Sequence, residues 1–287
     1  MTVCIGALCD GKEIENTANI VLCADTLVTY AQNGTPVSSN PNGSKIFPLP
    51  LGFRCAIADD LTQSQLFVSK LADGMESLEP NDSALHDKIK LALEKTNEYI
   101  RNWLRLSILQ GFGVELDEYL HDPDLVVREE IRKEIASSRA PVEMIVAGFH
   151  GTRPMLFYTD SVDIQEQTTL GFFVAKDTRT VQSGSGADLA LAWLNFREQM
   201  LFMSSQRTVY HVLEAKRFAE QNPTVGKRSI VLFMAPGRTS MLDTCIGLPQ
   251  IVQTWKAQCY VKTTEQIDHD SQHDLLFSLF TLLTSGR

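Results

Sequence analysis

The chain of 287 residues lacks any long hydrophobic run, and this absence bears first on membranes. Its longest apolar stretch, residues 275–283, includes Ser278 and Thr281, whereas a membrane-spanning helix needs about 20 predominantly apolar residues. The first residues also lack a charged segment followed by an apolar one, which is the pattern of a secretory signal. We therefore expect a cytoplasmic protein with no membrane partner.

Positive charge is also scarce. The 26 Lys and Arg residues face 35 Asp and Glu residues, so the formal net charge is −9. Binding to nucleic acid or to an anionic lipid surface depends on concentrated positive charge. The composition therefore argues against nucleic acid as a partner.

Cysteine and histidine patterns typical of metal sites are absent as well. The six cysteines have no CxxC spacing, and most lie in apolar runs where a thiol serves as a small hydrophobic group. His269 and His273 have the i, i+4 spacing of a metal pair, but they lack the glutamate and third ligand of a zinc site. We expect no metal and no cofactor.

The first residues carry a candidate reaction centre. Thr2 precedes an apolar, β-branched run that predicts a buried strand. If Met1 is removed, Thr2 holds a hydroxyl and a free α-amine, and such an amine titrates near pH ~7.7–8.0 in model peptides. One residue can then supply both nucleophile and base. Many proteins begin Met-Thr without using the threonine, so the hypothesis depends on the rest of the chain.

A second candidate feature is a pair of opposite charges. Asp25 lies in an apolar run at residues 20–29 that predicts a buried strand, and a buried carboxylate needs a partner. Lys45, at the start of another apolar strand, is the candidate partner. Such a pair can set the pKa of a neighbouring amine or hydroxyl, or it can be a structural salt bridge between strands. These two residues alone leave both interpretations open.

Several short segments follow one another in a specific order. A threonine near the start is followed by a short strand and an Ala-Asp-Thr-x-x-Thr segment at residues 24–29. A Ser-Lys-Ile-Phe segment follows at residues 44–47, and then an Ala-x-Ala-Asp strand at residues 56–59 leads into a helix. This order resembles that of proteasome β subunits and of the related bacterial self-compartmentalising threonine peptidases. The resemblance covers about residues 2–75, and the ordered set is more specific than any one match.

The resemblance implies roles for single residues. Thr2 would be the nucleophile, with Asp25 and Lys45 supporting it, and the backbone of Thr29 would pair with an extended peptide substrate. The turn at residues 183–188 fits neither a dinucleotide fingerprint nor a nucleophile elbow in its glycine spacing.

That turn resembles the Gly-Ser-Gly turn of the family, which implies that Ser185 lies near the nucleophile and relays a proton. Thr224 would stand where the family has a supporting serine.

Two positions depart from the family pattern. An aspartate of the family falls at Gln221 or Asn222, and the oxyanion glycine falls at about Ala56, which keeps its backbone N–H but adds a methyl group. Two alternatives stay open. One is a catalytically inactive assembly or binding protein, and the other is an amidase or acyl-transferase with a dedicated substrate.

The alternation of predicted strands and helices matches an α+β fold, a four-layer αββα sandwich of two antiparallel sheets between helices. We predict one domain over residues 2–236, with a helical insertion at 107–141. An extension at 237–287 would pack on this domain or on a neighbouring subunit. The resemblance implies a homo-oligomer, such as a ring, that acts on peptides or unfolded proteins. The sequence does not say whether an ATPase is a partner.

Overall fold

In a computed structural model of the protein, strands and helices alternate along the chain. The structure describes residues 3–12, 17–32, 35–40, 43–59, 61–122, 126–138, 142–160, 163–166, 171–176, 186–222 and 225–243. Within these ranges lie twelve strands and six α-helices, so the protein is mixed α/β.

The strands are β1 Val3–Lys12, β2 Thr17–Asp25, β3 Val28–Gln32, β4 Thr35–Asn40, β5 Ile46–Pro48, β6 Arg54–Asp59, β7 Val142–His150, β8 Arg153–Thr159, β9 Ile164–Glu166, β10 Phe172–Lys176, β11 Ser229–Ala235 and β12 Arg238–Asp243. The helices are α1 Leu61–Met75, α2 Leu85–Gly111, α3 Leu116–His121, α4 Arg128–Ser137, α5 Gly186–Phe196 and α6 Ser205–Ala219, with a 3₁₀ turn at Pro50–Gly52.

The first sheet has the strand order β10-β1-β2-β11-β12, with every neighbouring pair antiparallel. Strand β1 is apolar on both faces because successive side chains point to opposite sides and both sides are covered. Val3 and Ile5 face a cluster that includes Leu194 of α5 and Val212 of α6. Helices α5 and α6 therefore cover this face.

The second sheet has the order β5-β6-β7-β8-β9 and is also antiparallel throughout. Cys55 and Ile57 of β6 face a cluster with Phe67 of α1 and with Ile89 and Leu93 of α2. Each such fully buried aliphatic side chain contributes about 1.5–3 kcal/mol of transfer free energy. Helices α1 and α2 thus cover one face of the second sheet.

A third cluster joins the inner faces of the two sheets. Cys4 and Leu22 from the first sheet meet Ile145 and Leu156 from the second. The sheets come close beneath β1, where a Cβ on Gly6 would lie only 2.8 Å from Cγ2 of Ile145 and 3.0 Å from Cδ1 of Leu156. Glycine at this position lets the inner faces meet without a clash.

The segment predicted as an insertion is helical. It contains α3, α4 and the end of α2, which bury Leu109, Val114 and Ile131 against one another. Its status as an insertion stays a prediction.

Strand β12 begins just after the predicted domain boundary at residue 237 and pairs with β11, so residues 238–243 belong to the first sheet. The boundary itself stays a prediction, and the apolar segment at 275–283 lies outside the described residues. None of the described helices is long and apolar enough to cross a membrane.

Candidate functional site

Asp25 is the last residue of β2, at the point where the first sheet gives way to loops. It pairs in register with Ser229 of β11. The next residue leaves the ladder, because the Thr26 N–H donates to Arg228 O at 3.1 Å and Thr26 O accepts from the Gly43 N–H at 2.9 Å. The strand predicted through Thr29 is therefore interrupted, and the chain resumes as β3 at Val28. This break leaves the Asp25 side chain at the end of a buried strand.

The Lys45 ammonium reaches this carboxylate. Its Nζ lies 3.0 Å from Asp25 Oδ1, and the side chains are 3% and 0% exposed. The ion pair that the sequence suggested is present, and its hydrogen bond is charge-assisted. Because burying two charges costs several kcal/mol of hydration for each ion, such a pair adds little net stability. A buried pair of this kind at a strand end is therefore a candidate for a functional site.

Two backbone groups complete the surroundings of the carboxylate. The Val3 N–H donates to Asp25 Oδ1 at 3.1 Å, and the Gly226 N–H donates to Oδ2 at 3.1 Å. Both oxygens of Asp25 are thus bound by donors. Asp25 joins the start of β1, the residue before β5 and the loop before β11 at one point.

Sequence reasoning did not single out Gly226. A Cβ at this position would lie 2.5 Å from the Leu27 Cβ and 3.0 Å from Asp25 Oδ2. Only glycine lets the loop come this close to Asp25. The available sequence signal was a single glycine after an apolar residue, which is too common to predict such a contact.

The thiols of Cys4 and Cys23, near this site, are unreactive near neutral pH. Burial raises the pKa of the Cys4 thiol well above its usual value of 9.0, although the Lys45 charge lowers it in part. The thiol donates to Ile57 O at 3.2 Å. Burial also raises the pKa of Cys23 to about 12. A thiolate is the reactive form of cysteine, so neither residue is a nucleophile near neutral pH.

The remaining predicted site residues fall in different places. Thr2, Ser185 and Thr224 lie outside the described residues. Thr29 lies in β3, where its backbone is paired in register with Ser39 of β4.

Ala56 lies in the middle of β6, between Ile46 and Ile145, and has no exposed surface. The predicted contact between Ala56 and substrate therefore rests on the resemblance alone. His269 and His273 are outside the described ranges, within which no group of three or more His, Cys, Asp or Glu residues could hold a metal ion.

Within the described residues, two antiparallel sheets with covering helices place a buried Asp25–Lys45 pair at a strand end. No protein-family model matches the sequence. No curated protein matches it either.

Among solved structures, the chain is similar to the Anbu (Gly-1) mutant from Hyphomicrobium sp. strain MC1. The TM-score is 0.57 and the identity 15%, over 92% of this chain and 99% of that chain. The comparison therefore shows that the protein has a fold like that of this Anbu structure.

Proposed function

We propose that the protein is a proteasome-like N-terminal threonine hydrolase in which Thr2 attacks the carbonyl carbon of an amide bond. One observation carries the proposal. Asp25 Oδ1 accepts hydrogen bonds from both the Lys45 ammonium and the Val3 N–H, and Val3 is joined directly to Thr2 in the sequence. The similarity to Anbu supports the same interpretation, and we extend it to a four-layer αββα arrangement of the two sheets and their helices.

The proposed reaction has two stages. After loss of Met1, the Thr2 hydroxyl proton passes to the α-amine of the same residue, directly or through a water, while Oγ1 bonds to the carbonyl carbon. The C–N bond then breaks, the leaving amine takes the proton, and a threonine ester remains. A water molecule hydrolyses this ester, which releases the acid and restores the hydroxyl.

Lys45 and Asp25 support the nucleophile in this scheme. A positive charge near the α-amine lowers the pKa of that amine, so a larger fraction is free to accept a proton at neutral pH. The same charge stabilises the negative oxygen as it develops. Asp25 holds the Lys45 ammonium next to the start of β1.

The other predicted residues complete the proposed site. Ser185 relays a proton to the amine, Thr224 supports the loop, and the N–H groups near Ala56 bind the oxyanion. An extended peptide would pair with the backbone of Thr29 by strand addition, since β3 pairs only with β4 among the described strands. We propose peptides or unfolded proteins as substrates, cleaved within a homo-oligomer like those of the family.

The test is the intact mass of the purified protein before and after exposure to an electrophile directed at N-terminal threonine. We expect wild-type protein to lack one methionine and to gain one adduct. Thr2→Ser, which keeps a hydroxyl, should also gain the adduct, and Thr2→Ala should not. Peptide-library hydrolysis by wild-type but not by Thr2→Ala protein would then define the substrates. An adduct on Thr2→Ala would overturn the proposal.

The other outcomes identify the alternatives. Retained Met1 with no adduct would favour a catalytically inactive assembly protein, for which the full burial of Ala56 at the expected oxyanion position is the supporting observation. An adduct without peptide cleavage would favour an amidase or acyl-transferase, which a panel of small amides would then identify.

A further inference from the structure

We infer that Lys216 is a positioning residue for the proposed nucleophile and acts through the backbone of Gly226 and the carboxylate of Asp25. The inference rests on the proposed function. It assigns to helix α6 the task of holding the Asp25 carboxylate in the orientation that the start of β1 requires.

Lys216 lies in α6 with 1% of its surface exposed, although lysine is almost never fully buried unless it is paired. Its Nζ donates to the carbonyl oxygen of Gly226 at 2.5 Å and to Glu220 Oε1 at 2.7 Å. Glu220 also pairs with Arg217, which is partly exposed. Through these two hydrogen bonds, the buried ammonium of Lys216 fixes the loop at Gly226 to helix α6.

The next contact passes this constraint to Asp25. The carbonyl of Gly226 binds Lys216, while the N–H of the same residue donates to Asp25 Oδ2 at 3.1 Å. A carboxylate is planar and rigid, so fixing Oδ2 also restricts where Oδ1 lies. Oδ1 is the oxygen that binds the Val3 N–H and the Lys45 ammonium. Lys216 therefore helps to set the geometry at the residue that follows Thr2.

The backbone contact requires glycine at residue 226, because a Cβ there would collide with Leu27. The family resemblance implied a supporting aspartate in this loop, but the chain has Gln221 and Asn222, and Gln221 is exposed. Helix α6 provides support to Asp25 from this region through Lys216 and the backbone of Gly226.

A buried ion pair on the same helix provides a matched control. Glu214 is 1% exposed and binds Arg197 through two hydrogen bonds, at 2.8 and 2.5 Å. It lies two residues before Lys216, so its side chain points to another face of α6. Glu214→Gln perturbs a buried charge in the same helix and reports the effect of general destabilisation.

The experiment measures amide hydrogen exchange by NMR in the full chain, at the N–H groups of Val3 and Gly226. Lys216→Met removes a hydrogen bond from a charged donor to the loop and should speed exchange of both N–H groups by roughly 10-fold or more. Lys216→Arg should restore most of the protection. Glu214→Gln should leave the exchange of both N–H groups as in wild type once global stability is matched.

The rate of adduct formation at Thr2 is the second readout. Lys216→Met should slow adduct formation by roughly 10-fold and displace the midpoint of its pH dependence, which general destabilisation would not do. If Lys216→Met does not fold, Glu220→Gln removes the counter-charge of Lys216 and should give smaller changes in the same direction.

If the electrophile labels wild-type protein but exchange at Val3 and Gly226 is unchanged in these variants, the inference about Lys216 is overturned. The proposed function would then still stand. A wild-type protein that is never labelled would overturn the proposed function, and the role of Lys216 toward the nucleophile with it.

Discussion

The ammonium of Lys45 lies 3.0 Å from Asp25 Oδ1, the same oxygen that accepts the Val3 N–H. One atom therefore neutralises a buried cation and anchors the start of the first strand. A substitution that changes only the charge of Asp25 separates these two roles, since an amide of similar shape still carries an oxygen acceptor.

Asp25→Asn removes the counter-charge of Lys45 and should strongly destabilise the fold. Breaking a buried pair by removing one partner costs about 3–5 kcal/mol, so we expect a loss of this size in the free energy of unfolding from urea titration. The control is Asp73→Asn, which breaks the exposed Lys70–Asp73 pair of 3.7 Å and should cost about 0–1 kcal/mol. Equal losses in the two variants would contradict a special role for the buried pair.

Gly226→Ala tests the close approach of the loop to Asp25. The added methyl group would meet Leu27 and Asp25 Oδ2, so we expect a loss of about 1–3 kcal/mol from overpacking. Gly111→Ala, at the end of α2, places its methyl group in open space and should be neutral or stabilising by up to about 1 kcal/mol. Thermal unfolding measures both, and a stable Gly226→Ala protein would show that the loop can move.

Acid should weaken the fold through His211. Burial, with a smaller effect from the Arg207 and Arg197 charges, lowers the pKa of His211 from 6.5 to about 3. The unfolded chain therefore takes up a proton near pH 6.5 while the folded protein does not, and stability falls by up to about 1.4 kcal/mol per pH unit between these values.

His211→Gln should flatten this acid limb in urea titrations at several pH values. Replacement of the exposed His121 should leave the limb unchanged. A limb as steep in His211→Gln as in wild type would assign the acid sensitivity to other groups.

His86 should act in the opposite direction. Hydrogen bonding to Asp87, and then to Glu166 across to β9, raises the pKa of His86 above 6.5 despite partial burial. Its stabilising contribution is fully present below pH 6.5 and is lost as the pH rises through the raised pKa. The difference in unfolding free energy between wild type and His86→Gln should shrink as the pH rises above 6.5 and through the raised pKa of His86. A constant difference would argue against a protonated His86.

Strong local patterns were enough to predict much of the fold. The apolar runs at residues 142–149 and 154–159, separated by a polar turn, form the hairpin of β7 and β8. The helical spacing of apolar residues at 81–111 predicts a helix there, and the structure has α2 at Leu85–Gly111. These elements depend on the spacing of apolar side chains and on turn residues close in sequence. Both features can be recognised in a single sequence.

The contacts that shape the site depend on distant parts of the chain. The Asp25–Lys45 pair could be suggested because both residues interrupt apolar strands. The hydrogen bond from Gly226 to Asp25 joins residues 201 positions apart, and no local sequence pattern predicts it. The break after Asp25 and the extra strand β12 likewise follow from tertiary hydrogen bonds rather than from propensity.

The strands of the two sheets come from different parts of the sequence. This difference sets the order in which the two sheets can assemble during synthesis. The second sheet uses strands from one stretch of sequence, Ile46 to Glu166, whereas the first also needs β10, β11 and β12. Synthesis proceeds from the N-terminus, so the ribosome releases the whole second sheet before the last strands of the first. Asp25 cannot receive its Gly226 contact until that late stretch emerges. A nascent chain therefore carries Thr2 well before the residues that complete the surroundings of Asp25 have been synthesised.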